Sequence, residues 1–236
     1  AAAAGMRAMT SSSSPGISLK AEGISYLAAG DLPCVIVNIV RGGPGLGGIQ
    51  PAQSDYFQAV KGGGHGDYHL IVLAPNSVQE LAYLTAEAFN ISDEYRIPTL
   101  GDGTLGQMME PVDLDAIPEP IYADKPWAAR GTDNKRKKNV VETLYLEASE
   151  LEKKVLEREE KYNVVKENLQ RYEAHDIDDA DIIISSYGIT SRVVETAVKS
   201  LREEGIKVGV IRPITLGRSL KRFLKRLNRK RFCPLK

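Results

Sequence analysis

The stretch Leu32-Pro33-Cys34-Val35-Ile36-Val37-Asn38-Ile39-Val40, running into Arg41-Gly42-Gly43-Pro44-Gly45-Leu46-Gly47-Gly48, decides the fold. Its first part is apolar and β-branched almost without interruption, which marks a strand covered on both faces in a parallel sheet. Outward from it, strands and helices alternate. Arg7–Thr10 reads as a short strand, and Ser11–Ser14 leads into Pro15 at the first turn of a helix reaching about Ala28. After the glycine-rich turn we expect a helix from about Pro51 to Val60, a loop at Gly62–Gly66 and a strand at His69–Leu73. A helix over Ser77–Phe89 follows, opened by a serine cap with Glu80 three residues on. Such alternation implies an α/β fold with a parallel sheet. Ala1–Ala4 before Gly5 reads as the end of a helix with its C-cap, so a segment is expected upstream.

The second half is organised differently. Ile97–Leu100 reads as a cramped strand before Gly101-Asp102-Gly103. The proline-bearing stretch Pro111–Trp127 reads as an extended arm lying across another surface. Leu151, Val155, Tyr162, Val165, Leu169 and Tyr172 recur at helical spacing within 139–172, predicting one or two amphipathic helices. These either pack on their own domain or form a coiled coil with another subunit. A strand at Asp181–Ser185, a helix at Ser191–Glu204 ended by Gly205, and a strand at Lys207–Ile211 begin a second α/β domain. The expected division is 1–120, 121–175, 176–216 and a basic tail at 217–236.

Composition bounds the function. With 236 residues, 42% hydrophobic and 26% charged, the chain has the make-up of a globular protein rather than a disordered one. Its longest apolar run falls far short of the roughly 20 residues of a membrane span, and no signal segment opens the chain; a cytoplasmic location is expected. Cys34 and Cys233 make no C-x-x-C pair, which excludes a cysteine-built zinc or iron–sulfur site within the chain. The net charge of zero conceals an asymmetry, because 217–236 holds nine Lys and Arg and no acid.

Arg41 stands at the carboxyl end of the buried strand, the edge of an open parallel sheet where ligands bind. A guanidinium offers parallel donors to a carboxylate or phosphate, and Gly42 and Gly43 let backbone approach it closely. The alternative is a flexible turn whose arginine pairs with a surface acid. Thr10–Ser14 brings hydroxyls and free N–H groups to a helix start, which suits an anion or a simple cap. His65, within Gly62–Gly66, is a candidate proton carrier or a solvent-facing loop residue. Asp102 is a candidate metal ligand or helix cap. The P-loop spacing, a Ser/His/Asp triad, H-E-x-x-H and the Rossmann fingerprint are all missing.

Longer motifs go further. Met9-Thr10-Ser11-Ser12-Ser13-Ser14-Pro15-Gly16-Ile17-Ser18-Leu19 with Glu22-Gly23-Ile24-Ser25-Tyr26 resembles the alpha subunit of 2-oxoacid:ferredoxin oxidoreductases, of the kind using 2-ketoisovalerate. Val40–Gly47, Ser54-Asp55-Tyr56-Phe57-Gln58, Lys61–Tyr68, Gly106–Pro111 and the segments Gly205–Gly209 and Ile211–Leu216 share that resemblance. It implies a domain like the pyrimidine-binding domain of thiamine diphosphate enzymes, followed by part of a transketolase C-terminal-like domain. It also implies oxidative decarboxylation of a branched-chain 2-oxo acid to acyl-CoA with reduction of ferredoxin. A beta subunit would hold thiamine diphosphate, its Mg²⁺ and an iron–sulfur cluster, none of them bound by this chain alone. Small ferredoxin-like subunits, ferredoxin, coenzyme A and the 2-oxo acid complete the implied partners, with no nucleic acid and no membrane. Arg41 matches the family's arginine that faces the substrate carboxylate, and Gly42, Gly43 and Thr10 join it as substrate-binding candidates.

Three departures qualify the resemblance. The family's upstream Tyr-Pro-Ile-Thr-Pro motif and its thiamine-activating glutamate do not occur, so the chain is expected to be nearly inactive as it stands. The strand at Ile97–Leu100 is about two residues short, which puts its register in doubt. Beyond Leu216 the family's Trp-Pro-Phe-Pro is replaced by Gly217-Arg218-Ser219-Leu220, which a one-base shift of reading frame accounts for. The rivals are a catalytically dead subunit-binding remnant, a 2-oxoglutarate- or pyruvate-specific homologue, and a basic membrane-surface or nucleic-acid helix around Leu220, Phe223, Leu224 and Leu227.

Overall fold

A computed structural model of the chain describes residues 1–103, 105, 108–217 and 231–234. Its first sheet is built on four parallel strands, β1 (Met9–Ser12), β2 (Val35–Ile39), β3 (Ile71–Leu73) and β4 (Thr99–Gly103), in the order β1-β2-β4-β3. The Cys34–Val40 run forms β2 inside the sheet, and it is apolar because both faces are covered. Ile36 packs with Val72 and Leu100 against Ile17, Ile24 and Ala59, while Val35 packs with Ile71 and Leu73 against Leu84, Ala88 and Ile91. Removing such side chains from water is worth about 1.5–3 kcal/mol each. The short strand β4 keeps its register on both sides, with Thr99 opposite Val35 of β2 and Ile71 of β3.

The helices on one face are α1 (Pro15–Leu19), α2 (Ala21–Ala29) and α3 (Tyr56–Lys61). The expected single helix over 15–28 breaks at Lys20, whose ammonium reaches back to Thr10 Oγ1 at 2.7 Å and the Ser11 carbonyl at 2.8 Å. Helix α3 starts five residues later than Pro51 because Pro51 is bridged to Arg41. On the other face α4 (Val78–Tyr95) begins as predicted: Ser77 Oγ accepts from Glu80 N at 3.0 Å, and Glu80 Oε2 accepts from Asn76 N at 2.8 Å. Residues 111–127 form an arm without helix or strand, as expected, and the surface it crosses is this chain's own α4. Gln79 donates to the Asp113 carbonyl (3.0 Å), Asn90 to that of Glu119 (3.2 Å), and Lys125 pairs with Asp93 (2.6 Å). The 139–172 periodicity yields one helix, α5 (Ala148–Asn168); Tyr162 and Val165, with Leu169 just beyond it, bury it against the first core.

The second sheet contains β5 (Tyr172–His175), β6 (Ile182–Ser185) and β7 (Val208–Pro213), with α6 (Gly188–Glu203) packed on it through Val194 and Val198. β6 and β7 are parallel, and β5 runs antiparallel to β7. After β7 the chain crosses back: β8 (Thr215–Leu216) adds antiparallel to β3 of the first sheet. Ile214 between them donates to the Arg171 carbonyl (2.9 Å) and accepts from Ala74 N (2.8 Å). The backbone of β9 (Arg231–Pro234) pairs with β6; the remainder of the tail beyond Gly217, to which the frame-shift and basic-helix expectations belong, lies outside the described residues.

The seam between the sheets centres on Arg212 of β7, only 2% exposed. Its guanidinium makes a bidentate pair with Glu80 of α4 (2.8 and 2.9 Å) and a second pair with Glu173 of β5 (2.9 and 2.8 Å). Burial pushes the Arg212 pKa down, but the bonds to Glu173 and Glu80 outweigh it and hold the charge on. The same guanidinium pulls the Glu173 carboxyl below its usual range. Nearby, Val78 N and Arg192 of α6 both donate to Glu110, just before the arm (3.0 and 2.5 Å), which lowers that carboxyl as well.

Candidate functional site

The carboxyl ends of the parallel strands form one rim, with Ser12, Asn38 and Asp102 in register across β1, β2 and β4. Two residues past β2, Arg41 forms an antiparallel bridge with Pro51, so that 41–51 is a closed loop. Gly42 N donates to the Gln50 carbonyl (2.9 Å) and Gly48 N to the Gly42 carbonyl (2.8 Å). Gly47 has φ 63°, and a Cβ there would lie 1.8 Å from the Gly42 carbonyl oxygen, so no other residue closes the loop this way.

Arg41 is half-buried, and its guanidinium uses one nitrogen, Nη1, on the carbonyls of Leu46 and Gly48 (3.1 Å for the latter). Among the described residues no carboxylate pairs with it. Neutral carbonyls fix the direction of the fork without cancelling its charge, and Nε and Nη2 remain available as donors.

Asn38 holds the base of this loop. It is fully buried. Its Oδ1 accepts from Ser14 N at 2.9 Å, and its Nδ2 donates to Asp55 Oδ2 at 3.3 Å just before α3. Ser14 sits at φ 36°, ψ −88°, a sparsely populated region for a residue with a side chain. The hydroxyl of Ser14 accepts from Arg41 N (3.1 Å) and donates to the Arg41 carbonyl (3.4 Å). One buried amide thus ties together the turn after β1, the end of β2 and the return of the loop. At the loop's far side Gln53 Nε2 donates to the Tyr187 carbonyl (2.9 Å), and Gln53 Oε1 accepts from Thr190 N and Oγ1 (2.9 and 2.7 Å). The glycine loop is therefore anchored to the second sheet's helix α6 as well.

Of the residues expected from sequence, Arg41, Gly42 and Gly43 lie together on the rim, with Ser14 beside them. Thr10 does not join them: it stands opposite Ile36, five residues before Arg41 and so about 16 Å away along a strand, and it receives Lys20. His65 is exposed and rests on α2, with Nδ1 3.3 Å from Ser25 Oγ and its ring edge-on to Tyr26. The side chain of Asp102 lies outside the described part. Asn38, Gln53, Asp55 and Lys20 escaped the sequence reading. Asn38 had a signal, as the one polar residue in the apolar run Cys34–Val40, since a buried polar group is the informative exception in a core strand.

No metal-ligating cluster of three or more His, Cys, Asp or Glu occurs among the described residues, and none of the described helices is long and apolar enough to cross a membrane.

Comparison with known proteins places the rim in context. Residues 1–188 match the family described as pyruvate flavodoxin/ferredoxin oxidoreductase, thiamine diphosphate-binding, and residues 180–227 match core domain II of pyruvate:ferredoxin oxidoreductase. The chain is 52% identical over 218 residues to the ketoisovalerate oxidoreductase subunit VorB of Methanothermobacter marburgensis, covering 92% of this chain and 62% of that protein. It is 34% identical to the 2-oxoglutarate synthase subunit KorA of Methanocaldococcus jannaschii, covering 90% and 64%. The chain therefore spans a little under two thirds of the length of these curated relatives. A 2-oxoglutarate:ferredoxin oxidoreductase from Magnetococcus marinus, solved with 2-oxoglutarate, coenzyme A and succinyl-CoA bound, shares the fold (TM-score 0.76, 24% identity, 99% of this chain and 50% of that one). A transketolase variant from Pichia stipitis superposes with TM-score 0.50 at 15% identity, over 97% of this chain and 26% of its own.

Proposed function

The chain belongs to the pyruvate flavodoxin/ferredoxin oxidoreductase family, and on that premise we propose that it is part of the alpha subunit of a thiamine-diphosphate-dependent 2-oxoacid:ferredoxin oxidoreductase acting on a branched-chain 2-oxo acid such as 2-ketoisovalerate. The observation that carries the reading is Arg41: a half-buried guanidinium at the ligand-binding rim of a parallel sheet, oriented by carbonyls and uncompensated by any described acid. Such a group suits the carboxylate of a 2-oxo acid, taken through Nε and Nη2. Gly42 and Gly43 leave the space above the loop to the substrate. Thr10 enters this reading as the hydroxyl that fixes Lys20, away from the carboxylate itself.

The rim also fits the pyrimidine end of thiamine diphosphate. Ser13 Oγ is buried there without a hydrogen-bond partner among the described residues, next to the turn that Asn38 holds, and would offer its hydroxyl to the ring's polar edge. When bound, the cofactor supplies the electron sink for loss of CO₂, and the protein supplies orientation and electrostatics. In this reading a beta subunit holds the diphosphate, Mg²⁺ and an iron–sulfur cluster. Small ferredoxin-like subunits and ferredoxin carry the electrons, coenzyme A takes the acyl group, and the complex works in the cytoplasm.

The test is a complex of the beta subunit with the subunit that contains these residues. It should reduce a viologen dye with 2-ketoisovalerate only when thiamine diphosphate is present. Arg41→Gln should raise KM for the 2-oxo acid roughly 10- to 100-fold, the loss of one charged hydrogen-bonding group worth about 1.5–3 kcal/mol. An assembled wild-type complex without thiamine-dependent dye reduction would sink the reading and leave a subunit-binding scaffold of the same fold. An unchanged KM in Arg41→Gln would remove Arg41 from the substrate.

A further inference from the structure

On the flank of the first sheet, Gly5, Met6 and Arg7 face the arm residues Tyr122–Lys125 and Arg130 across a cleft of about 370 Å³, with Asp93 of α4 at its floor. Both oxygens of Asp93 are taken by cations: Oδ2 by Arg7 Nε at 3.0 Å and Oδ1 by Lys125 Nζ at 2.6 Å. The three side chains are only 5% (Asp93), 19% (Arg7) and 10% (Lys125) exposed. One buried and one half-buried cation therefore share one carboxylate. A third, Arg130, reaches only the solvent-exposed Asp124, at 3.5 Å. Asp93 and Asp124 are the only acids lining the cleft among the described residues, so it carries excess positive charge.

Donors are also in surplus. The Lys125 ammonium has three N–H groups and spends one on Asp93. Arg7 gives Nη2 to Asn90 Oδ1 (2.8 Å) and the Ile121 carbonyl (2.5 Å), leaving Nη1. Its guanidinium carbon also lies over the rings of Phe89 and Tyr122, 5.8 and 5.1 Å from their centroids, contacts that restrain it further. A knot built only to pin the arm to α4 would need one cation for its one acid.

We propose that this cleft is a binding site for a phosphate-class anion, held by Lys125 Nζ, Arg7 Nη1 and the Arg130 guanidinium. Donors from three side chains lining one cleft suit the several oxygens of a tetrahedral anion, whereas a planar carboxylate satisfies a single fork. The site is separate from the Arg41 rim and does not rest on the reading given to it.

Calorimetric titration of the full chain with inorganic phosphate and with pyrophosphate, at constant ionic strength set by chloride, tests the proposal. The wild type should bind saturably. Lys125→Met, which keeps the buried stem and removes the charge, should weaken binding at least roughly tenfold. Arg130→Gln, at an exposed position outside the buried knot, should weaken it less without disturbing the fold. Asp93→Asn supplies the discriminating sign: it raises the excess charge, so binding should tighten even as thermal stability falls, whereas a purely structural knot would lose stability and gain no affinity. Equal affinity for the two anions would assign the site to free phosphate; tighter pyrophosphate would assign it to the diphosphate of a larger ligand. The proposal is overturned if the wild type shows no saturable binding, if Lys125→Met binds as well as the wild type, or if a folded Asp93→Asn binds more weakly.

Discussion

Arg41 and Arg212 are the same side chain put to opposite uses. Arg212 is 2% exposed and spends its fork on two carboxylates from two elements, so its charge is consumed within the fold. Arg41 is half-buried, spends one nitrogen on neutral carbonyls, and keeps its charge facing the rim. A saturated arginine fastens parts of a protein together, while one oriented but uncompensated is left open to a ligand, as proposed above for Arg41. The contrast separates structure from function more sharply than exposure alone.

The contrast can be broken by experiment. Arg212→Met strands the Glu80 and Glu173 carboxylates at the seam. It should cost about 3 kcal/mol in denaturant unfolding, the low end for breaking a buried pair because Glu173 is 43% exposed. A loss below about 1 kcal/mol would mean that the seam does not depend on it. Asn38→Ala leaves Ser14 N and the Asp55 carboxylate without their partner and should cost about 1–3 kcal/mol. It should also raise KM for the 2-oxo acid in the assembled complex, since Ser14 positions Arg41; unchanged KM would detach Asn38 from the site.

Acid probes the same seam more gently. Glu173 and Glu110 have folded pKa values below their unfolded ones, so the stability they contribute is present above roughly pH 4.3 and is lost as pH falls through the depressed folded values. Unfolding measured across that window should show Arg212→Met losing less stability than the wild type, because Glu173 no longer contributes while Glu110 keeps its bonds to Val78 N and Arg192. Smallest of all should be the effect of Arg41→Gln on unfolding, within about 0.5 kcal/mol, because its carbonyl contacts are loop-local and partly solvated. A large destabilisation there would make Arg41 a second Arg212.

Much of the fold was legible because its signals are local. The nearly unbroken apolar run gave β2, and the Ser77–Glu80 pair gave the start of α4 to the residue. What was hidden depends on distant partners. The expected helix from Pro51 loses its first turn because Pro51 bridges Arg41 and Gln53 is claimed by Tyr187 and Thr190, contacts no window of sequence displays. The break at Lys20 comes from an ammonium reaching back to β1, and Thr215–Leu216 is too short to announce a strand that joins the other sheet. At the site, Arg41 and its glycines stood out by type and place. The role of Asn38 emerged only once Ser14 and Asp55 were seen on either side of it.

β7 stops at Pro213 and β8 starts at Thr215, so a single residue carries the chain from one sheet to the other, and its amide groups are bonded on both sides. There is no slack at that crossing. Tension or displacement applied to the second sheet passes through Ile214 into the edge of the first, and the two layers should swing as one rigid lever rather than about a hinge.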